Sequence, residues 1–206
     1  AVNAADERYA TQDVARAVLD LYRDGIQPTI ADPLRVEGAA EFVGIYTGAA
    51  GRLAITAEDD RLFLDGKPLE PRGNDRFLAD RPDLALFLVG FRREDGRVVV
   101  AVHGGDAYRR EGAADGPART SPAEWSAYPG HYRAYNPWYS NFRVVLREGE
   151  LLVIFPWGLE LPLAQRSDGS FRVAEDWSAE WLRFDAIVDG RALMADLSGE
   201  HYYRVP

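Results

Sequence analysis

The feature that most constrains this sequence is that its second half repeats its first, motif by motif and in the same order. Phe42-Val-Gly44-Ile-Tyr46 returns as Tyr128-Pro-Gly130-His-Tyr132, an offset of 130 − 44 = 86. Asp60-Arg-Leu62-Phe-Leu64 returns as Gly149-Glu-Leu151-Leu-Val153, an offset of 151 − 62 = 89. Asp95-Gly96-Arg97 returns as Asp189-Gly190-Arg191, and Tyr108-Arg109 as Tyr202-Tyr203-Arg204, with 190 − 96 and 202 − 108 both equal to 94. One such pair would carry little weight. Several in one order, with an offset that only grows, indicate duplication with loop insertions after the opening motif and near the middle.

Within each copy, short runs such as RLAIT, RLFLD, RFLAD, ALFLVGF and RVVVAVH are separated by Gly, Asp and Asn. That is the pattern of strands joined by tight turns. Asp65-Gly66, Gly73-Asn74 and Asp95-Gly96 are dipeptides that supply the positive φ a two-residue hairpin needs. About eight strands in roughly 70 to 80 residues suit an up-and-down meander, and eight strands suffice to close a small barrel with no free edge. The predicted fold class is therefore all-β: two tandem antiparallel meander barrels of about eight strands each. One larger barrel or sandwich built from both copies is the rival geometry. In the repeated aromatic-x-Gly-x-Tyr, glycine is expected to let the first strand bend or approach a neighbour, and the aromatics to plug the barrel end. A catalytic residue would have no reason to recur at the same place in both copies.

The start of the chain is different. Residues 11–24, TQDVARAVLDLYRD, place Val14, Ala17, Val18, Leu21 and Tyr22 on one face at helical spacing, with Thr11 a cap and Gly25 a stop. Pro28 and Pro33 then predict an extended connector. The predicted organisation is an N-terminal helix and linker over 1–35, a first barrel over 36–118 and a second over 119–206.

Composition excludes several functions. Acidic residues outnumber basic ones 33 to 24, and the deficit is spread as −2, −4 and −3 over the three segments. No basic stripe is present, so nucleic acid and anionic membranes are not expected partners. No apolar run approaches the ~20 residues of a membrane span, and Ala1 to Arg8 are too polar for a signal peptide core, so the expectation leans to a cytoplasmic location. The chain has no cysteine, and His103, His131 and His201 lie far apart without metal-ligand spacing, so neither metal nor cofactor is expected. Asp59-Asp60, Glu94-Asp95 and Glu175-Asp176 fall at predicted turns, where solvated charge is the default. Gly-x-Ser-x-Gly is absent around all seven serines, and the residue three before Lys67, the one lysine, is Leu64 rather than the serine of a Ser-x-x-Lys nucleophile.

What remains is aromatic. All five tryptophans, Trp125, Trp138, Trp157, Trp177 and Trp181, belong to the second half. The segment AYNPWYSNF puts Tyr135, Trp138 and Tyr139 where the first copy has TGAAGRL. An inserted aromatic loop reads as a contact surface. Trp157, in IFPWGLEL, reads first as filling for the second barrel and second as part of that surface. The candidate ligand- or partner-binding residues are Tyr135, Trp138, Tyr139 and Trp157.

The opening EFVGIYTG, the run GRLAITAEDDRLFLDGKPLEPRGNDRFLAD and the segment EWSAYPGHYRAYNPWYSNFRVVLREGELLVIFPWG resemble the C-terminal extension of bacterial serine hydrolases of the class C β-lactamase and penicillin-binding-protein-like family. The resemblance spans essentially all of 36–206 and implies lipocalin-like barrels. It also implies a non-catalytic accessory region that packs on the catalytic serine hydrolase domain of the same polypeptide, regulates access to it or mediates homo-oligomer contacts. The helix over 11–24 resembles the closing helix of that catalytic domain, which implies a fragment cut just before the junction. Tyr139-Ser140-Asn141 and His103-Gly104-Gly105 have the form of two of the family's motifs, but stand in the wrong order and in different copies, and count as coincidence. The family's nucleophile has no counterpart, so no catalytic residue carries over and the chain is not expected to be an enzyme. The alternative expectation is a stand-alone lipocalin-like module that binds a small apolar or peptide-like ligand.

Overall fold

The computed structural model describes residues 11–25, 32–114, 116, 120–137, 139–174 and 176–206, so Pro28, Trp138 and Glu175 lie outside the described residues. Two compact units divide the chain, residues 1–115 and 116–206. The first opens with a helix, α1 (Thr11–Asp24), on which Val14, Val18, Leu21 and Tyr22 are exposed. Eight strands follow: β1 (Gly44–Gly48), β2 (Gly51–Glu58), β3 (Arg61–Leu64), β4 (Lys67–Pro71), β5 (Arg76–Ala79), β6 (Val89–Glu94), β7 (Arg97–His103) and β8 (Asp106–Arg110). Each pairs antiparallel with the next, and β8 returns to β1 through Tyr46↔Arg110 and Thr47↔Arg109 to close a barrel.

The second unit repeats this plan with β9 (Gly130–Arg133), β10 (Asn141–Arg147), β11 (Glu150–Ile154), β12 (Glu160–Gln165), β13 (Phe171–Val173), β14 (Trp181–Val188), β15 (Arg191–Leu197) and β16 (Glu200–Val205). Its closure runs through Tyr203↔Arg133, Arg204↔Tyr132 and Val205↔His131. The fold is thus two closed eight-stranded antiparallel barrels in tandem, and not one larger assembly.

Turn chemistry explains the meander. Asp65-Gly66, Asp95-Gly96 and Asp189-Gly190 are two-residue connections with positive φ at both residues. Their twist matches that of the strands they join. Asp59-Asp60, Glu148-Gly149 and Ser198-Gly199 adopt the same conformation, the first without any glycine. Gly73-Asn74 differs from the sequence expectation. It lies in a longer loop over 72–75, closed by the Arg72 N–H donating to the Arg76 carbonyl at 2.7 Å.

Period-two alternation fills each barrel with side chains. Leu53 and Ile55 on β2 and Leu62 and Leu64 on β3 point into the first core, and Leu151 and Val153 on β11 into the second, all at most 2% exposed.

Both closures use one device. At the end of β8, Arg110 crosses Gly44 at the start of β1, where a Cβ would stand 2.8 Å from Arg110 Nε. The guanidinium donates to the carbonyls of Glu41 (3.2 Å), Val98 (3.1 Å) and Val43. In the second barrel Arg204 crosses Gly130, where a Cβ would stand 2.9 Å from Arg204 Cζ. It donates to the carbonyls of Ala127 (3.4 Å), Ala192 (3.3 Å) and Pro129 (2.6 Å). The partners match residue for residue: 127 − 41, 129 − 43 and 130 − 44 all equal 86, while 192 − 98 and 204 − 110 equal 94.

Tyr46 and Tyr132, two residues after each glycine, are fully buried and donate at 2.7 Å to the carbonyls of Phe42 and Tyr128. Phe42 ends a 3-10 turn over Ala39–Phe42, and Tyr128 caps the corresponding turn over Ala123–Ala127, each just before the first strand of its unit. The repeated motif is therefore a set of fitting parts. The aromatic offers its carbonyl to the tyrosine, the glycine clears a path for the arginine, and the tyrosine ring closes the barrel end.

Two outcomes are expected. Arg204→Ala strands three carbonyls that a charged donor now serves and should cost about 2 to 3 kcal/mol in urea unfolding. Gly130→Ala displaces the same guanidinium, so the double variant should cost at least about 1 kcal/mol less than the sum of the singles. Independent effects of the two would show that the crossing does not hold the closure.

Burial pushes the hydroxyls of Tyr46 and Tyr132 up to about 12, opposed by the charge of Arg110 and Arg204 beside them. An unfolded tyrosine titrates near ~10, so above that pH the unfolded chain releases these protons first. Stability should be whole below pH ~10 and decline as pH rises to about 12, read as unfolding midpoints alongside phenolate absorbance. Tyr46→Phe with Tyr132→Phe should weaken that decline.

Candidate functional site

In an up-and-down barrel, alternate connectors share one end. In the second barrel the connectors after β9, β11, β13 and β15 cover residues 134–140, 155–159, 174–180 and 198–199, and form a rim at the end away from Arg204. Buried positions locate the duplication's extra residues. The offset rises from 86 at Tyr132 (132 − 46) to 89 at Phe142 (142 − 53), across the connector after β9. It rises again from 89 at Val153 (153 − 64) to 94 at Phe171 (171 − 77). That second interval contains 155–159, where the first copy has only Asp65 and Gly66. The connector after β9 and the one after β11 bring Tyr139 and Trp157 to the rim.

Their rings form a column from core to solvent. Phe142 is fully buried and lies 4.8 Å from Tyr202 and 6.3 Å from Phe155, ring centre to ring centre. Trp157 stacks on Phe155 at 4.9 Å and 16°, and Tyr139 tilts against both, at 5.9 Å from Phe155 and 5.7 Å from Trp157. Phe155 is buried, whereas Tyr139 and Trp157 are 47% and 46% exposed. Trp157 therefore does not fill the barrel as its first reading had it. Phe155 fills, and a turn closed by the Gly158 N–H on the Phe155 carbonyl (2.9 Å) lifts Trp157 onto the rim.

The loop that carries Tyr139 is fixed at both flanks. The Ala134 N–H donates to the Ser140 carbonyl at 2.9 Å, the Tyr139 N–H to Asn136 Oδ1 at 3.3 Å, and the Tyr202 hydroxyl to the Tyr139 carbonyl at 2.8 Å. Tyr135 is fully exposed, and Trp177 joins the rim from the connector after β13 at 85% exposure. Of the four residues singled out in sequence, Tyr139 and Trp157 meet, Tyr135 stands in the same loop without a ring partner in these contacts, and Trp138 is outside the described residues. Sequence reasoning missed Phe155 and Trp177, although the two steps in the offset mark the first.

The matching end of the first barrel is built differently. Its connector over 80–88 forms a 3-10 turn (Pro82–Leu84) that sinks Leu84 into the core at 3% exposure. His103 Nε2 donates to the Leu84 carbonyl at 3.1 Å, and Arg81 bridges Asp65 and Asp83. Leu84 corresponds to Ser178 (178 − 84 = 94), so the second copy puts a small polar residue where the first has its plug.

Elsewhere several polar groups are engaged locally. His131 Nε2 meets Asn141 Oδ1 at 3.2 Å, and Asn141 Nδ2 donates to Ser140 Oγ at 3.1 Å, so an amide, which cannot serve as a base, stands between that hydroxyl and that imidazole. Ser126 Oγ donates to the Ala123 carbonyl and Ser170 Oγ to Asp168. His201 faces Asp196 at 3.6 Å. Among the described residues, no three His, Asp or Glu side chains gather as a metal site. What the rim presents is aromatic surface.

Because Trp157 lies on the surface, Trp157→Ala should cost about 1 kcal/mol, the worth of half-exposed ring contacts. Phe142→Ala, which opens a cavity beneath it, should cost about 3 to 5 kcal/mol. Comparable losses in urea unfolding would make Trp157 a core residue after all.

No protein-family profile matches the chain, and neither curated proteins nor solved structures include a significant match.

Proposed function

We propose that the chain is a non-catalytic accessory region of a β-lactamase-related serine hydrolase, and that the aromatic rim of the second barrel is the surface with which it engages the catalytic domain of the same polypeptide. One observation carries this reading: Tyr139 and Trp157 are half-exposed rings, rigidly backed by Phe155, on a barrel whose interior is already occupied by its own side chains. Tryptophan and tyrosine dominate the energetics of protein contacts because they offer large area at little conformational cost. A ligand inside the barrel would have to displace Phe142, Leu151 or Phe171, each at most 1% exposed, which weighs against a lumenal binding module. The family assignment itself rests on the sequence resemblance.

The test uses the hydrolase domain expressed separately and titrated with this chain, read by tryptophan fluorescence and co-elution. A saturable complex that Tyr139→Ala with Trp157→Ala weakens by at least about thirtyfold, the size of a hot spot, is the expected outcome. A complex indifferent to both substitutions would place the contact elsewhere. Unchanged activity, substrate range and assembly of the hydrolase with and without this region would end the accessory reading.

A further inference from the structure

The charge of the rim is as distinctive as its aromatics. The four connectors read AYNPWYS, FPWGL, AEDWSAE and SG, and contain no arginine, lysine or histidine. All their charge is negative and belongs to the connector after β13, where Asp176 and Glu180 lie among the described residues. In sheet order β9-β10-β11-β12-β13-β14, the connector that carries Trp157 lies between the one with Tyr139 and the acidic one with Trp177. The topology thus sets open aromatic rings beside carboxylates, with no cationic side chain in the connectors themselves.

Those carboxylates are only partly committed. Asp176 meets Arg172 of β13 while 94% of its side chain stays exposed, and Glu180 accepts from Ser198 Oγ. The positive charge nearby stands on the strands rather than in the connectors, on Arg133, the exposed last residue of β9, and on Arg183, which lies over Trp181 at 5.8 Å and 3.8 Å from Asp196. An anionic partner laid on the connectors would meet carboxylates and no cation belonging to them, and a neutral apolar one would use the rings alone. A cation uses both, because the ring faces carry the negative end of the quadrupole and the carboxylates add attraction of longer reach.

We propose that the rim receives a polypeptide segment bearing arginine or lysine, with one cationic side chain laid against Trp157 and Tyr139 and its charge turned to the connector of Asp176 and Glu180. Arginine fits best, because its flat guanidinium stacks on a ring while its edge still donates to carboxylate. Charge complementarity selects this occupant, and the proposal names the partner chemistry of the docking surface assigned above and rests on that reading.

The probe is a peptide of Arg-Gly-Ser repeats, compared by calorimetry on the full chain with the same peptide carrying citrulline, a neutral isostere, in place of each arginine. The arginine peptide is expected to bind saturably, and the citrulline peptide at least about tenfold more weakly. Affinity should fall with added salt, by at least about tenfold in Trp157→Ala, and severalfold in Asp176→Asn with Glu180→Gln. Equal binding of both peptides, no binding of either, or arginine binding that survives Trp157→Ala would overturn the inference. Competition with the separately expressed hydrolase domain separates it from the reading it rests on. A domain that binds the rim but is neither displaced by the arginine peptide nor weakened by salt refutes the cationic occupant and keeps the docking surface. An arginine peptide that binds the rim when the domain does not bind at all supports the cationic occupant and removes the hydrolase as its source.

Discussion

Each barrel depends on an arginine that lies across a glycine. A sheet of eight strands has two edges, and a barrel exists only if the first and last strands meet. Tyr46↔Arg110 and Arg204↔Tyr132 are where they meet, and in each case the tyrosine and the arginine come from the two strands being joined. The guanidinium does more than pair strands. It collects carbonyls from the chain just before the first strand and from the start of the seventh, Val98 in one barrel and Ala192 in the other. Those carbonyls would otherwise be acceptors at a barrel end, where unpaired backbone is costly. Glycine is needed because the arginine must pass within contact distance of the strand's own backbone.

This closure also decides where function can sit. It occupies the end of the barrel that holds the start of the first strand, and therefore the turns after even-numbered strands. The opposite end is left to the connectors after odd-numbered strands, which carry no part of the closure. The duplication's length changes fall between Tyr132 and Phe142 and, because buried Leu163 already keeps the offset of 163 − 69 = 94, between Val153 and Leu163; these stretches hold the connectors after β9 and β11, and so lie away from the arginine. The closure and the proposed recognition surface thereby fall at different ends of one small fold, the arrangement in which loops can change without the scaffold failing. The first copy spends its free end on a plug, with Leu84 sunk into the core and His103 holding its carbonyl. The second replaces that leucine with Ser178 and raises an aromatic column in its stead.

Much of this was legible in the sequence because it rests on local chemistry. Asp-Gly pairs announce the turns, alternation in RLAIT and RLFLD announces the strands, and a growing offset announces two copies rather than one long sheet. The glycine of the repeated motif could be marked as a close approach, but not what approached it, since Arg110 lies 110 − 44 = 66 residues downstream and an arginine has no signature of its own in a chain so rich in them. Leu84 was hidden for a similar reason: a leucine between Asp83 and Ala85 shows no period, and only the return of the connector onto the barrel end buries it. Phe155 and Trp157 are two residues apart, which in a strand would put both on one face. The chain turns between them, so one fills and the other is exposed.

The rim itself follows from how a turn treats large rings. Alternation along β11 sends Leu151, Val153 and then Phe155 inward, and the next inward position would be residue 157. Continuing the strand would bury a tryptophan in a core already occupied by Phe142, Phe155 and Tyr202, and overpacking of that kind costs as much as a cavity does. Pro156 lacks the N–H that would continue the ladder, and Gly158 takes positive φ, so the strand ends where the core is full. The ring that no longer fits is laid on the outside of the last one that does. The exposed aromatic surface is thus the product of a core that has run out of room, extended by inserted residues, and its rigidity comes from the stack beneath it. A rigid exposed ring loses little entropy when covered, which gives it value in a contact.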